Sequence, residues 1–303
     1  MELNENADID TSQVEDQRGS GGGGGGFGGL PIPIGGGGIV GLIITVVLLA
    51  VGGYFGVNQL GGNDSAQSDN GNIQQECSDK SKALDQLDCR NVLYVNSIQA
   101  YWKQAEPQYF NKQYQPAKTV LFSNRVNTGC GAADSGVGPF YCPADNKVYI
   151  DLTFYQVLAQ QLGAPGEFAQ PYVLAHEYGH HIQDLVGTEA KMRRAQQGAS
   201  EAQQNALSVK LELQADCYAG VWAKHATETT ANNGQPIFKS LTQQDVQEGI
   251  DTAGKIGDDV LQKRSGNPVN PDEFTHGTAA QRQQWFSTGY NSGTPESCDT
   301  FGS

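Results

Sequence analysis

The sequence predicts an α+β domain dominated by helices, with a small, mostly antiparallel sheet, preceded by one transmembrane helix. Three observations predict it. An uncharged apolar run covers residues 39–57. Two short β-branched and aromatic runs stand near the middle of the chain. Behind them come segments of helical period with their own start and stop signals.

In chain order, residues 1–38 read as a disordered tail. Residues 1–18 are polar and acidic with Arg18 their only basic residue, and residues 19–29 are almost all glycine. Such composition buries too little apolar surface to fold alone. Residues 39–57 follow, and no charge occurs between Arg18 and Asp64. A helix of about 20 such residues spans a bilayer, and Tyr54 and Phe55 suit an interface. A cleaved signal peptide is the alternative. It calls for a basic start, and this leader is acidic. Residues 58–76 read as a polar linker, and residues 77–303 as the folded domain.

Within that domain, Asp88 is placed to cap a helix carrying Val92, Val95, Ile98, Tyr101 and Trp102. Lys118–Phe122 and Lys147–Leu152 read as strands. Phe140-Tyr141-Cys142 can pair with Val148-Tyr149-Ile150 across the turn at residues 143–146. A helix enters at Pro171 and stops at Gly187. The next opens near Ser200, with Gln203 completing a capping box. Another is capped by Thr242 and reaches about Gln262, and the last runs from about Thr278 to Tyr290.

Six cysteines, Cys77, Cys89, Cys130, Cys142, Cys217 and Cys298, all follow the apolar run. An even count favours disulfides and an oxidising compartment. Cys77–Cys89 and Cys130–Cys142 share one spacing, and Cys217 with Cys298 would pin the C-terminal tail; other pairings stay open. Metal binding by cysteine is the rival, but no C-x-x-C pair exists. The expected location is therefore the cell membrane, single-pass, with residues 1–38 cytoplasmic and the domain outside. Arg18, Lys80 and Lys82 decide little about orientation. The net charge of −14 disfavours nucleic acid and anionic lipid surfaces as partners. Oligomeric state is not legible.

Three of the five histidines fall in His176-Glu177-Tyr178-Gly179-His180-His181, which contains H-E-x-x-H. Residues four apart share one helix face, so His176 and His180 can bind one Zn²⁺. Glu177 then lies where it can take a proton from a water that the metal activates. The plainer alternative is a surface helix that happens to carry histidines. A catalytic zinc needs a third protein ligand. Glu212 and Asp216 share a face of the next helix, among apolar residues where unpaired carboxylates are costly. Glu212 as ligand and Asp216 as acceptor for a histidine's second nitrogen relieve that cost. Two solvated acids on an amphipathic helix are the alternative. His276 and Arg282 are candidate donors to a developing oxyanion. Equally, His276 can cap the last helix and Arg282 can pair with Asp258 and Asp259. His181 points away from His180 and reads as a packing or supporting residue. His225 carries no motif.

HEYGHH followed by ELQADCYAGVW is similar to the gluzincin pattern of zinc peptidases, H-E-x-x-H then E-x-x-x-D. The wider chain resembles the bacterial membrane-anchored neutral zinc metallopeptidase family of the YpfJ type. That resemblance rests on Val14–Gly19, Cys130-Gly131, Gly138–Pro143, Val148–Leu152, both zinc motifs, Ile256–Asp259, Thr275–Arg282 and Trp285-Phe286. It implies a zincin-like fold, His176, His180 and Glu212 as ligands, Glu177 as base, and a peptide or protein substrate. It also makes the Phe140–Ile150 hairpin the candidate edge for strand addition by substrate; an ordinary hairpin buried on both sides is the alternative. The expected function is a membrane-anchored zinc peptidase. Its alternative is a catalytically silent scaffold that keeps zinc for structure, and hydrolysis of a non-peptide amide uses the same chemistry.

Overall fold

The computed structural model describes residues 1–18 and 73–302. The expected span at residues 39–57, the glycine-rich stretch before it and most of the linker after it lie outside the described residues. Among the described residues, no helix is long and apolar enough to cross a membrane.

Residues 1–18 depart from the expected disorder. They carry β1 (Glu2–Leu3) and β2 (Val14–Asp16). After the gap come α1 (Ile73–Glu76), α2 (Lys80–Ala83) and the long α3 (Leu87–Phe110). Asp88 lies in the first turn of α3 rather than at its cap, which is Gln86. An acid there still complements the helix dipole.

Next are β3 (Lys118–Leu121), the hairpin β4 (Arg125–Thr128) and β5 (Gly131–Asp134), and the hairpin β6 (Phe140–Cys142) and β7 (Lys147–Ile150). The main sheet has the order β2-β3-β7-β6. It is mixed rather than mostly antiparallel: β2, β3 and β7 run parallel, and only β6 is antiparallel to its neighbour. The reason is nonlocal, because the N-terminal segment supplies β2 and a whole hairpin separates β3 from β7. Strand alternation divides the side chains between two faces. Leu121, Val148, Ile150 and Tyr141 join the main helical core, while Val120, Tyr149, Phe140 and Cys142 pack with Val126 under the β4–β5 hairpin.

The helical layer consists of α4 (Phe154–Gln160), α5 (Ala169–Val186), α6 (Thr188–Gln196) and α7 (Glu201–His225). It continues after β8 (Phe238–Ser240) with α8 (Gln243–Lys255), α9 (Asp258–Arg264) and α10 (Ala279–Ser292). Capping boxes at Ser200/Gln203, Thr242/Asp245 and Thr278/Gln281 start α7, α8 and α10. The single helix expected from Thr242 to Gln262 is two, broken at Ile256-Gly257. All three expected disulfides are present: Cys77–Cys89, Cys130–Cys142 and Cys217–Cys298.

Two glycines set how closely the helices that carry the site approach. A Cβ on Gly179 of α5 would lie 3.0 Å from the Cα and carbonyl oxygen of Ala215 on α7. A Cβ on Gly289 of α10 would lie 1.9 Å from the Cys217 carbonyl oxygen. The cost of a helical glycine, about 1 kcal/mol, is offset here by backbone contact that no side chain permits.

One buried group runs against the packing. Glu106 on α3 is 0 % exposed, and neither carboxylate oxygen meets a hydrogen-bond donor among the described residues. Burial raises its carboxyl above the ordinary range, with Lys112 pulling weakly the other way. A carboxyl raised by folding favours the native state below its unfolded pKa and loses that advantage as pH rises through the folded value. Glu106→Met is therefore expected to stabilise the protein at neutral pH by about 1–3 kcal/mol. Thermal melts should show the gain shrinking as pH falls through the carboxylate range. An unchanged or lower melting temperature at neutral pH would mean that Glu106 is satisfied.

Candidate metal centre

α5 and α7 lie against each other, and their facing positions bring His176, His180 and Glu212 together. One ligand atom from each falls within 4.8 Å of the others, and all three residues are buried. His176 Nε2 is 3.1 Å from Glu212 Oε2, and His180 Nε2 is 3.4 Å from Glu212 Oε1. The two imidazole planes stand at 88° with centroids 4.9 Å apart. They approach one point from two directions.

The atoms behind the rings fix which nitrogen faces inward. His176 Nδ1 is 2.9 Å from Asp216 Oδ1, and His180 Nδ1 is 2.8 Å from Gln183 Oε1. Both partners accept, so each Nδ1 carries a proton and each Nε2 is the nitrogen turned toward Glu212. Gln183 is itself held, donating to Leu211 O at 2.7 Å and Gln214 Oε1 at 3.2 Å. The sequence reading missed Gln183. Its signal was local, an amide acceptor one helical turn after His180.

Asp216 accepts more than the His176 contact. Tyr172 Oη donates to Oδ1 at 2.6 Å, and Arg282 reaches Oδ2 through Nε at 2.7 Å and Oδ1 through Nη2 at 3.0 Å. Burial alone would raise this carboxyl; Arg282 and His176 hold it down to about 2. Arg282 and Asp216 are both fully buried.

Arg282 therefore takes neither expected role. It pairs with Asp216 instead of Asp258 or Asp259, and it stands behind His176 rather than beside the ligand atoms. The close crossing at Gly289 seats α10 on α7 and produces this pairing. His276 does not cap α10 either, because Thr278 does. Its Nδ1 is 3.1 Å from Asp258 Oδ1 and 3.0 Å from Thr275 Oγ1. Asp258 Oδ2 also accepts the backbone N–H groups of Thr275, His276 and Gly277 at 2.8, 2.7 and 2.9 Å. One carboxylate thus shapes the whole loop. His276 is buried. Burial alone would raise the Glu212 carboxyl; His180 and then His276 hold it well below the ordinary carboxylate range.

Glu177 is 2 % exposed. Burial raises its carboxyl above the ordinary range, and the His176 and His180 imidazoles oppose this. His181 is a packing residue, its Nε2 2.7 Å from Gln115 O and its Nδ1 3.1 Å from Tyr141 Oη. It ties α5 to β6, as does the Tyr141 Oη bond to Asp184 at 2.9 Å. His225 pairs with Glu228 at 2.7 Å, away from the cluster.

Two imidazole nitrogens and a carboxylate oxygen form a donor set suited to zinc. A structural detail supports the fit: His180 Nε2 is buried with no hydrogen-bond partner of its own among the described residues. A cation between the three would satisfy it.

Comparison with known proteins agrees with this chemistry. The family described as "putative neutral zinc metallopeptidase" matches residues 4–301. The uncharacterized protein YpfJ of Escherichia coli K12 is 42% identical over 297 residues, covering 97% of this chain and 96% of the relative. The uncharacterized protein Rv2575 of Mycobacterium tuberculosis is 48% identical over 217 residues, 71% of each chain. No solved structure matches the chain. With its matched length and its buried His176–His180–Glu212 cluster, the chain belongs to the neutral zinc metallopeptidase family.

Proposed function

We propose that this chain is a zinc-dependent peptidase, attached to a membrane through residues 39–57, with its folded domain on the extracytoplasmic side. The observation that carries the reading is the buried His176–His180–Glu212 cluster with Glu177 next to His176 on the same helix. Three disulfides support an oxidising compartment. Zinc in the cluster supplies Lewis acidity, which polarises a scissile carbonyl and acidifies a water.

The chain's own residues do the rest. Asp216 and Gln183 hold the two imidazoles with Nε2 inward. Glu177 takes a proton from the attacking water while the water oxygen bonds to the carbonyl carbon. The C–N bond then breaks, and Glu177 gives its proton to the leaving amine. His276, oriented by Asp258 through Nδ1, is the donor to the oxyanion that develops on the carbonyl oxygen. β6 lies at the edge of the main sheet and is tied to α5 through Tyr141, so its free edge is the proposed place for substrate main chain. Its side chains are all buried, which the plainer hairpin reading also expected.

His276→Gln tests the donor. It is expected to keep the fold and the zinc and to lower kcat by about 10²–10³-fold, with KM changed much less. Full activity in a zinc-loaded His276→Gln protein would remove His276 from the chemistry.

A further inference from the structure

Residues 1–18 are built into the domain formed by residues 73–302. Val14, Glu15 and Asp16 pair in parallel with Thr119, Val120 and Leu121, and Gln17 N donates to Leu121 O at 2.8 Å. Leu3 pairs with Phe238, and Asn4 N donates to Ile237 O at 2.9 Å. Side chains add further ties. Asp10 N bonds Asn96 Oδ1 at 2.9 Å while Asn96 Nδ2 returns a bond to Asp10 O at 3.0 Å. Gln99 Nε2 donates to Gln13 Oε1 at 2.8 Å, and Lys147 meets Glu15 at 2.8 Å. Leu3, Ala7 and Val14 are buried in the main core.

The two ends of the gap also meet. Arg18 binds Asp16 at 2.7 Å and Asp88 at 3.0 Å, and lies 3.9 Å from Glu76 in α1. Arg18 and α1 therefore sit side by side on the domain.

A chain crossing a bilayer once between Arg18 and Ile73 would put these partners on opposite faces, separated by about 30 Å of hydrocarbon. No hydrogen bond or strand pair forms across that distance. The outer edge of β3 would lose its ladder, and the core would lose three apolar side chains.

We propose that residues 1–18 fold in the same compartment as residues 73–302, as a structural part of the metal-bearing domain. It follows that Arg18 and Ile73 lie on the same side of any bilayer to which the chain is attached. For residues 1–18 this replaces the expected cytoplasmic location; the side proposed above for the domain is unchanged. An attachment within that interval has both its ends on the domain's side, the difference between a protein held on a membrane and one that spans it. The proposal is independent of any metal or activity.

Asp8 and Lys80 provide the test. They form an exposed ion pair joining the N-terminal segment to α2, so replacing both disturbs little. The full-length chain carrying Asp8→Cys with Lys80→Cys is expressed in cells and treated with a short bismaleimide. The expected product is one chain crosslinked to itself between the two positions, found by mass spectrometry of its peptides. The single variants Asp8→Cys and Lys80→Cys, treated in intact cells with a membrane-impermeant maleimide, should label to the same extent. Labelling of one position and protection of the other would overturn the proposal. So would a missing crosslink, or one that joins two different chains.

Discussion

Glu177→Gln is expected to abolish nearly all peptide hydrolysis while leaving zinc content and melting temperature close to those of the native protein. The amide is isosteric, so the buried pocket keeps its packing, but it cannot accept the proton of the attacking water. General-base catalysis of this kind contributes about 10²–10⁴-fold. Glu177 lies outside the group formed by His176, His180 and Glu212, so removing its charge leaves every ligand atom in place. Metal analysis and a peptide assay on the same preparation check the result. Turnover retained by zinc-replete Glu177→Gln protein would exclude Glu177 as the base.

The largest expected effect on stability belongs to Arg282→Ala. Arg282 and Asp216 are both 0 % exposed and joined at 2.7 Å. Removing the guanidinium leaves a carboxylate in the interior with only Tyr172 and His176 against it. Breaking a buried pair from one side costs about 3–5 kcal/mol. The loosened Asp216 should also release its grip on His176, weakening zinc binding by about 10–100-fold. Urea denaturation of the full chain and zinc competition with a chelator measure the two. An oxyanion donor would behave differently, keeping stability and zinc and losing only kcat. That pattern would contradict the placement of Arg282 behind His176.

The site was legible because its signals are local. H-E-x-x-H needs only helix geometry to bring His176 and His180 together, and Glu212 with Asp216 needs only the same spacing on the following helix. Ser200/Gln203 and Thr242 announced their helices for the same reason: a cap acts within one turn. The same local rule extends to Gln183, one turn beyond His180. Arg282 reads in the sequence either as an oxyanion donor or as a partner of Asp258 and Asp259, because its observed partner Asp216 depends on how α10 crosses α7. That crossing is set by Gly289 against the Cys217 backbone, a contact between segments far apart in sequence.

The N-terminal segment shows the same limit more sharply. Met1–Arg18 is short, acidic and polar, which is the composition of a disordered tail. Its order comes from partners more than seventy residues away, including Asn96, Gln99, the edge of β3 and β8. The mixed sheet was misjudged for the same reason. The hairpin pair β6–β7 was visible as two adjacent runs, whereas the parallel partner β2 lies at the other end of the chain. Because β2 completes the sheet, functional work requires residues 1–18 together with the rest of the domain.

The most direct test of the central claim is digestion of an unbiased peptide mixture by the zinc-loaded full-length chain, with Glu177→Gln protein as the blank. New peptide termini produced by the native protein and absent from the blank are the predicted result, and they would define the residues preferred around the cut. A folded, zinc-replete native protein that generates no termini beyond the blank would contradict the assignment of this chain as a peptidase.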